Sequence, residues 1–184
     1  GRLTEAITLY EQTLTDSTPI DSTDHPNTVI TRNNLATAYQ EAGRVDEAIA
    51  LLEQGLTDII RIHGQGHPKT QTTRNNLAYA YQEAGRLTEA ITLYEQTLTD
   101  ATRIHGQGHS KTQTTRNNLA FAYLEAGRLT EAITLYEQTL TDSIRFPSED
   151  HLLTSLMRFS LEAARRELAE QEETSHTEER GEQD

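Results

Sequence analysis

"GRLTEAITLYEQTLTD" fills Gly1–Asp16 and returns letter for letter at Gly85–Asp100 and Gly127–Asp142, while a looser copy, "GRVDEAIALLEQGLTD", fills Gly43–Asp58. The four copies start 42 residues apart, so the reading turns on what a unit of that length builds. In the first copy Leu3, Ala6, Ile7, Tyr10 and Leu14 fall at helical spacing and form one apolar stripe. Thr4, Thr88, Thr130 and, in the looser copy, Asp46 are the expected N-caps. Gly43, Gly85 and Gly127 precede three of these helices and suit the left-handed stop of an earlier one. That earlier helix is written "NTVITRNNLATAYQEA", "KTQTTRNNLAYAYQEA" and "KTQTTRNNLAFAYLEA". It is entered through His-Pro or His-Ser, with Pro26 and Pro68 where a first helical turn accepts proline. The unit is therefore a helix, a Gly turn, a longer helix and a loop such as "HGQGHP". Neither helix buries its stripe alone, so the units must stack.

Composition agrees with a stack and excludes several partners. Over 184 residues the hydrophobic share is 34 %, with no Trp and three Phe, thin for one globular core but sufficient where each unit covers only its neighbours. A net charge of −13 opposes binding to a nucleic-acid backbone or an anionic membrane. The chain has no Cys, so disulfides and thiolate metal sites are excluded. No stretch is apolar enough to span a bilayer and no signal peptide stands at the start, so a cytoplasmic setting is the expectation. The chain opens inside a repeat without an initiator Met, and it reads as part of something longer.

The array is expected over residues 1–165: a half repeat at 1–20, units at 25–62, 67–104 and 109–145, and a degenerate terminal helix at 149–170. Pro19 is expected to stop the opening helix early. His25, His67, His109 and His151 keep the 42-residue spacing, but "LLTSLMRFSLEAARRELAEQ" loses the Asn pair and the Gly turn, as a covering last helix does. Residues 172–184 are charged and aperiodic, and an acidic disordered tail is expected there.

Leu-Ala-x-x-Tyr, Gly, then Ala-x-x-x-Tyr or Leu recurs as Leu35, Ala36, Tyr39, Gly43, Ala48 and Leu52; as Leu77, Ala78, Tyr81, Gly85, Ala90 and Tyr94; and as Leu119, Ala120, Tyr123, Gly127, Ala132 and Tyr136. This resembles the tetratricopeptide signature without its leading Trp. The longer period, the "NNLA" core and the His-Pro start look like the repeats of kinesin light chains and their bacterial relatives, including actinobacterial arrays. The resemblance implies an all-α fold: a right-handed α-α superhelix, the tetratricopeptide solenoid, of about seven to eight helices. Arg32, Arg74 and Arg116 depart from the family by standing where the general signature has Trp.

In tetratricopeptide stacks the first helix of each unit lines a concave groove. By analogy that groove takes Ile30, Asn33, Asn34, Thr37 and Gln40 from one unit, Thr72, Asn75, Asn76, Tyr79 and Gln82 from the next, and Thr114, Asn117, Asn118, Phe121 and Leu124 from the third. Asn amides both donate and accept, which matches an extended peptide backbone; the first of each pair, Asn33, Asn75 and Asn117, is expected to face the groove, while for Asn34, Asn76 and Asn118 the alternative is that they bond backbone or neighbouring helices inside the stack. The varying Thr37, Tyr79 and Phe121 would then set specificity, with Tyr79 and Phe121 as anchors. Groove positions such as Thr72 and Asn75 are neutral, so a carboxylate clamp for acidic C-termini is not expected. The ladder Arg32, Arg74, Arg116 and Arg158 has two readings, a ligand carboxylate or an acidic residue of the next helix. His63-x-x-x-His67 and His105-x-x-x-His109 have metal-like spacing but no third ligand in the motif, and no metal or other cofactor is expected. Every candidate base is duplicated, which opposes an asymmetric active site, so no enzyme is expected.

Two functions compete. One is a module that binds a peptide or protein segment in the groove. The other is a structural spacer, or an array that self-associates through its opening helix, whose Leu3, Ile7 and Tyr10 are expected to be uncovered for want of a first-helix partner.

Overall fold

A computed structural model describes residues 1–16, 26–145 and 151–181. These form eight α-helices and no strand: α1 (Arg2–Asp16), α2 (Pro26–Glu41), α3 (Val45–His63), α4 (Pro68–Glu83), α5 (Leu87–His105), α6 (Ser110–Glu125), α7 (Leu129–Arg145) and α8 (His151–Gly181). The fold class is the expected all-α tetratricopeptide solenoid. The chain divides into two compact bodies, Gly1–Ile104 and His105–Asp184. Pro19 and the loop around it lie outside the described residues, as do residues 146–150 and 182–184.

Each first helix ends in the same way, for the same reason. Gly43, Gly85 and Gly127 have φ of 74°, 73° and 69°, a conformation in which a Cβ crowds its own backbone. The reversal lets the Arg86 N–H donate to the Tyr81 carbonyl at 2.8 Å and the Gly85 N–H to the Gln82 carbonyl at 2.9 Å. This paired closure, repeated at Arg44 and Arg128, satisfies carbonyls that a helix end otherwise leaves open. The next helix begins at once. It does not begin as the sequence suggests: Thr4, Asp46, Thr88 and Thr130 lie inside the first turn, because the helices start at Arg2, Val45, Leu87 and Leu129. At α3 the N-cap is Arg44, without a side-chain capping bond. Arg44, Arg86 and Arg128 lie over the rings of Tyr39, Tyr81 and Tyr123 at 4.1, 4.2 and 4.3 Å. They also donate to Glu47, Glu89 and Glu131 in the first turn of the new helix. Those carboxyls are held below their ordinary range, chiefly by the hydrogen bond each accepts from its arginine.

The signature residues are the ones that let helices approach. Ala36, Ala78, Ala120, Ala48, Ala90 and Ala132 are all buried, and Leu35, Leu77 and Leu119 with them. Small side chains at these sites bring helix axes close enough for the flanking Leu and Tyr to interlock. In the first body Leu3, Ile7, Tyr10 and Leu14 pack with Leu35, Ala38, Tyr39 and Leu51. The expected uncovered stripe is thus not uncovered. A second helix serves two first helices, its own and the following one, and α2 covers this side of α1. The Tyr39 hydroxyl fixes that contact by donating to Glu11 at 2.7 Å.

In the second body α8 packs on α7 through Met157, Leu161 and Ala164, all buried, and Arg165 donates to Glu137 at 2.6 Å. The helix continues to Gly181, across the stretch read from sequence as a disordered tail. Glu, Gln and Arg are strong helix formers, and a helix already nucleated on α7 propagates through them. The side chains of Gln171–Thr174 are exposed.

Candidate functional site

The arginine ladder resolves as structure. Arg32, Arg74 and Arg116 are buried on α2, α4 and α6, and each donates to an aspartate 26 residues on, in the second helix of its own repeat. Arg74 Nη1 lies 2.9 Å from Asp100 Oδ2 and Arg116 Nη1 2.6 Å from Asp142 Oδ2, while Arg32 pairs with Asp58. At the position where the general signature has Trp, each guanidinium reaches an aspartate of the partner helix. It is paired with protein and unavailable to a ligand. Arg158, at the same register in α8, is exposed.

The histidines cap helices. The Nδ1 atoms of His67 and His109 accept the backbone N–H groups of Lys69 and Lys111, at 3.2 and 3.1 Å. Behind them His63 stacks on His67 with ring centroids 4.3 Å apart, and His105 on His109 at 4.6 Å. An Nδ1 that accepts cannot carry a proton, so the cap requires neutral imidazole. Burial, then the neighbouring imidazole and lysine, push His67 and His105 below the ordinary histidine value. Among the described residues no three His, Cys, Asp or Glu side chains gather to hold a metal. The capping use was not drawn from the sequence, although a His directly before Pro68 was its signal.

The groove residues divide into two kinds. In the first body Asn33 is half-buried and donates from Nδ2 to Thr73 Oγ1 at 3.1 Å, tying α2 to α4. Gln40 likewise reaches Glu83 at 2.6 Å. Asn34 and Thr37 are exposed, and Asn75, Asn76 and Gln82 are half-buried; Gln82 accepts from the Tyr94 hydroxyl at 3.4 Å. Tyr79 stands out with 51 % of its surface in solvent. In the second body Asn117 and Asn118 are half-buried and Phe121 is 44 % exposed. The same helical face of α8 exposes Leu156 and Phe159, which stand one repeat beyond Thr114 and Asn117. The sequence reading overlooked these two, though the 42-residue register points to them.

Repeated helix pairs, Gly-terminated first helices and a ladder of internal ion pairs define a helical-repeat scaffold. The family model described as Tetratricopeptide repeat matches residues 1–58, 47–103, 69–143 and 111–173, and the chain belongs to that family. A putative kinesin light chain from Podosopora anserina with nearly identical TPR-like repeats is 28 % identical, with a TM-score of 0.81 over 97 % of this chain and 85 % of that one. BtubC (BKLC) from P. vanneervenii is 21 % identical with a TM-score of 0.81, over 90 % of this chain and 66 % of that one. PlcR of Bacillus thuringiensis, solved with the peptide PapR7 and DNA, is 20 % identical with a TM-score of 0.69 over 91 % of this chain and 57 % of its own. No curated protein matches the chain. Among the described residues no helix is long and apolar enough to cross a membrane.

Proposed function

We propose that this chain is a protein-interaction module that holds a peptide or protein segment along the face lined by its first helices, in the cytoplasm and without catalysis or a cofactor. One observation carries the reading. Tyr79 in the first body and Phe121 in the second are large rings half in water, each at the same position of its repeat and each following a half-buried Asn, Asn76 or Asn118, in its own helix. The neighbouring Leu77, Ala78, Leu119 and Ala120 are buried. Aromatic anchors of this kind commonly dominate an interface, and Asn34, Asn76 and Asn118 offer backbone-like hydrogen bonds beside them. Asn33 serves stacking, and Asn75 and Asn117 hold the same place in the next two repeats. That PlcR was solved with a peptide makes a peptide ligand compatible with the fold. The partner is neither nucleic acid nor membrane, on the charge argument.

A library of linear peptides displayed on phage and selected on the intact chain tests this. Enriched peptides should lose at least about tenfold in affinity, roughly 1.4 kcal/mol, on Tyr79→Ala or Phe121→Ala, with helicity unchanged. Peptides that ignore both variants and lose binding on Glu95→Ala, on a second helix, would place the site elsewhere. A second reading, association through the opening helix, is favoured by Leu9 of α1, which is 63 % exposed.

A further inference from the structure

The first helices end against a preference of their own backbone. The C-terminal end of an α-helix carries partial negative charge and favours cations. The second helix α3 follows that preference, with Arg61 in its last turn. By contrast α2, α4 and α6 each end on a glutamate, Glu41, Glu83 and Glu125, and none has a basic residue in its last turn. All three glutamates are exposed. Local preferences broken in this way concentrate at functional sites. In the first body Gln40 of α2 donates to Glu83 at 2.6 Å, which takes one of about four acceptor positions on a carboxylate. The next cations along the chain, Arg86 and Arg128, donate to Glu89 and Glu131 and lie over Tyr81 and Tyr123.

Tyr79 precedes Glu83 by four residues in α4, and Phe121 precedes Glu125 by four in α6. Four residues advance a helix by about 6 Å and return to the same face. Each half-exposed ring therefore has a carboxylate one turn away. In α2 the place before Glu41 is Thr37, so the pairing of ring with carboxylate belongs to α4 and α6. Lys69 and Lys111, near the starts of these helices, stand ten residues before the rings. That is about 15 Å along the axis, beyond the roughly 8 Å over which charges act in physiological salt.

We infer that the segment held at this face is basic: a lysine or arginine of a partner protein lies over Tyr79 or Phe121 and is bonded by Glu83 or Glu125. This rests on the groove reading above and narrows its ligand. A ring face attracts a cation within about 6 Å of its centre, and the carboxylate one turn further on accepts from the ammonium or guanidinium. An apolar segment over the same ring would strip water from the glutamate without replacing its bonds. An acidic segment would meet like charge at the negative end of a helix. A second copy of this chain, at a net charge of −13, is repelled as well.

The test selects a random linear-peptide phage library on the intact chain and titrates the enriched peptides, made with a fluorophore, by anisotropy. Enriched peptides should be rich in Lys or Arg, and changing those residues to Gln should weaken binding at least about tenfold. Glu83→Gln or Glu125→Gln, whichever shares a helix with the ring that the peptide needs, should do the same. Gln suits a helix end no worse than Glu, so loss of fold does not explain the effect. Glu95→Gln, at an exposed second-helix site, alters net charge equally and should leave affinity unchanged. Equal weakening by Glu95→Gln overturns the inference, since overall charge would then be the attraction. Peptides that need Tyr79 or Phe121 yet are neutral or acidic, or that ignore the glutamate change, overturn it too and leave the groove reading standing. Peptides that ignore both rings and both glutamates, or a library that enriches nothing, overturn both. A dimer in sedimentation that Glu83→Gln dissolves also overturns the inference, because a second copy would then be the occupant.

Discussion

Arg74 is a cation with 2 % of its surface in water, held by Asp100 and, more loosely, by the Gln65 carbonyl at 3.5 Å. Removing the guanidinium leaves Asp100, half-buried beside an emptied slot, with only the exposed Arg103 at 3.4 Å. Arg74→Ala should therefore lower unfolding stability by about 3 kcal/mol, as broken buried pairs do, seen as a lower urea midpoint. The double variant Arg74→Met with Asp100→Leu should recover most of that loss, since the only charge it releases, Arg103, is exposed. Gly85 poses a different problem: a Cβ there meets nothing within 4 Å, so Gly85→Ala pays only for a positive φ of 73°. That costs about 1–2 kcal/mol, and Gly85→Asn should cost less, by the same denaturation assay. The glycines were legible because their conformational demand is local. The arginines were not, since the choice between ligand and ion pair depends on an aspartate on another helix. The Asn pair misled for a similar reason: whether Asn33 bonds a peptide or Thr73 is set by how α2 meets α4.

Helices and their order could be read almost entirely from the 42-residue repeat, because each carries its own stripe, stop and start. The errors sit at their ends. Thr88 looks like a cap by residue type, yet the closure at Gly85 brings Arg86 directly to the helix start and moves Thr88 into the first turn. At the other loop His67 and His105, one from each stacked pair, make stability sensitive to pH. His67 lies below the ordinary 6.5 in the folded chain because of burial, then His63 and Lys69. Arg103, beside Gly66, adds another cation. His105 is lowered likewise by burial, His109 and Lys111. The unfolded chain then binds protons that the folded chain refuses, so stability is full above 6.5 and falls as pH drops toward the lowered native values. Thermal melting should begin earlier at about pH 5.5 than at about pH 7.5. His67→Asn keeps an N-cap acceptor without a titrating ring, and together with His105→Gln it should flatten that dependence. An unchanged slope in this double variant would remove the histidines as its source.

For the molecule as a whole, every described ladder contact joins residues a fixed distance apart: 26 for arginine to aspartate, 28 for Tyr39 to Glu11 and Tyr81 to Glu53. Stability is therefore built from neighbours. Amide exchange should be slowest where both sides are covered, as at Leu77–Tyr81 of α4, and fast at Gln171–Thr174, whose side chains are exposed. The partner was the least legible feature of all, because repeats of one sequence reveal how they stack and only their few variable positions can name a ligand. The constant spacing has an evolutionary consequence. Removing Gly43–Ala84 joins Ala42 to Gly85, which recreates the natural Ala84–Gly85 junction and leaves each arginine facing an aspartate. That deletion should still give a helical, cooperatively melting chain by circular dichroism. A crossover in the gene between the identical stretches at 85–100 and 127–142 likewise removes or adds 42 residues, so inheritance can lengthen or shorten this protein by whole repeats while every junction already fits.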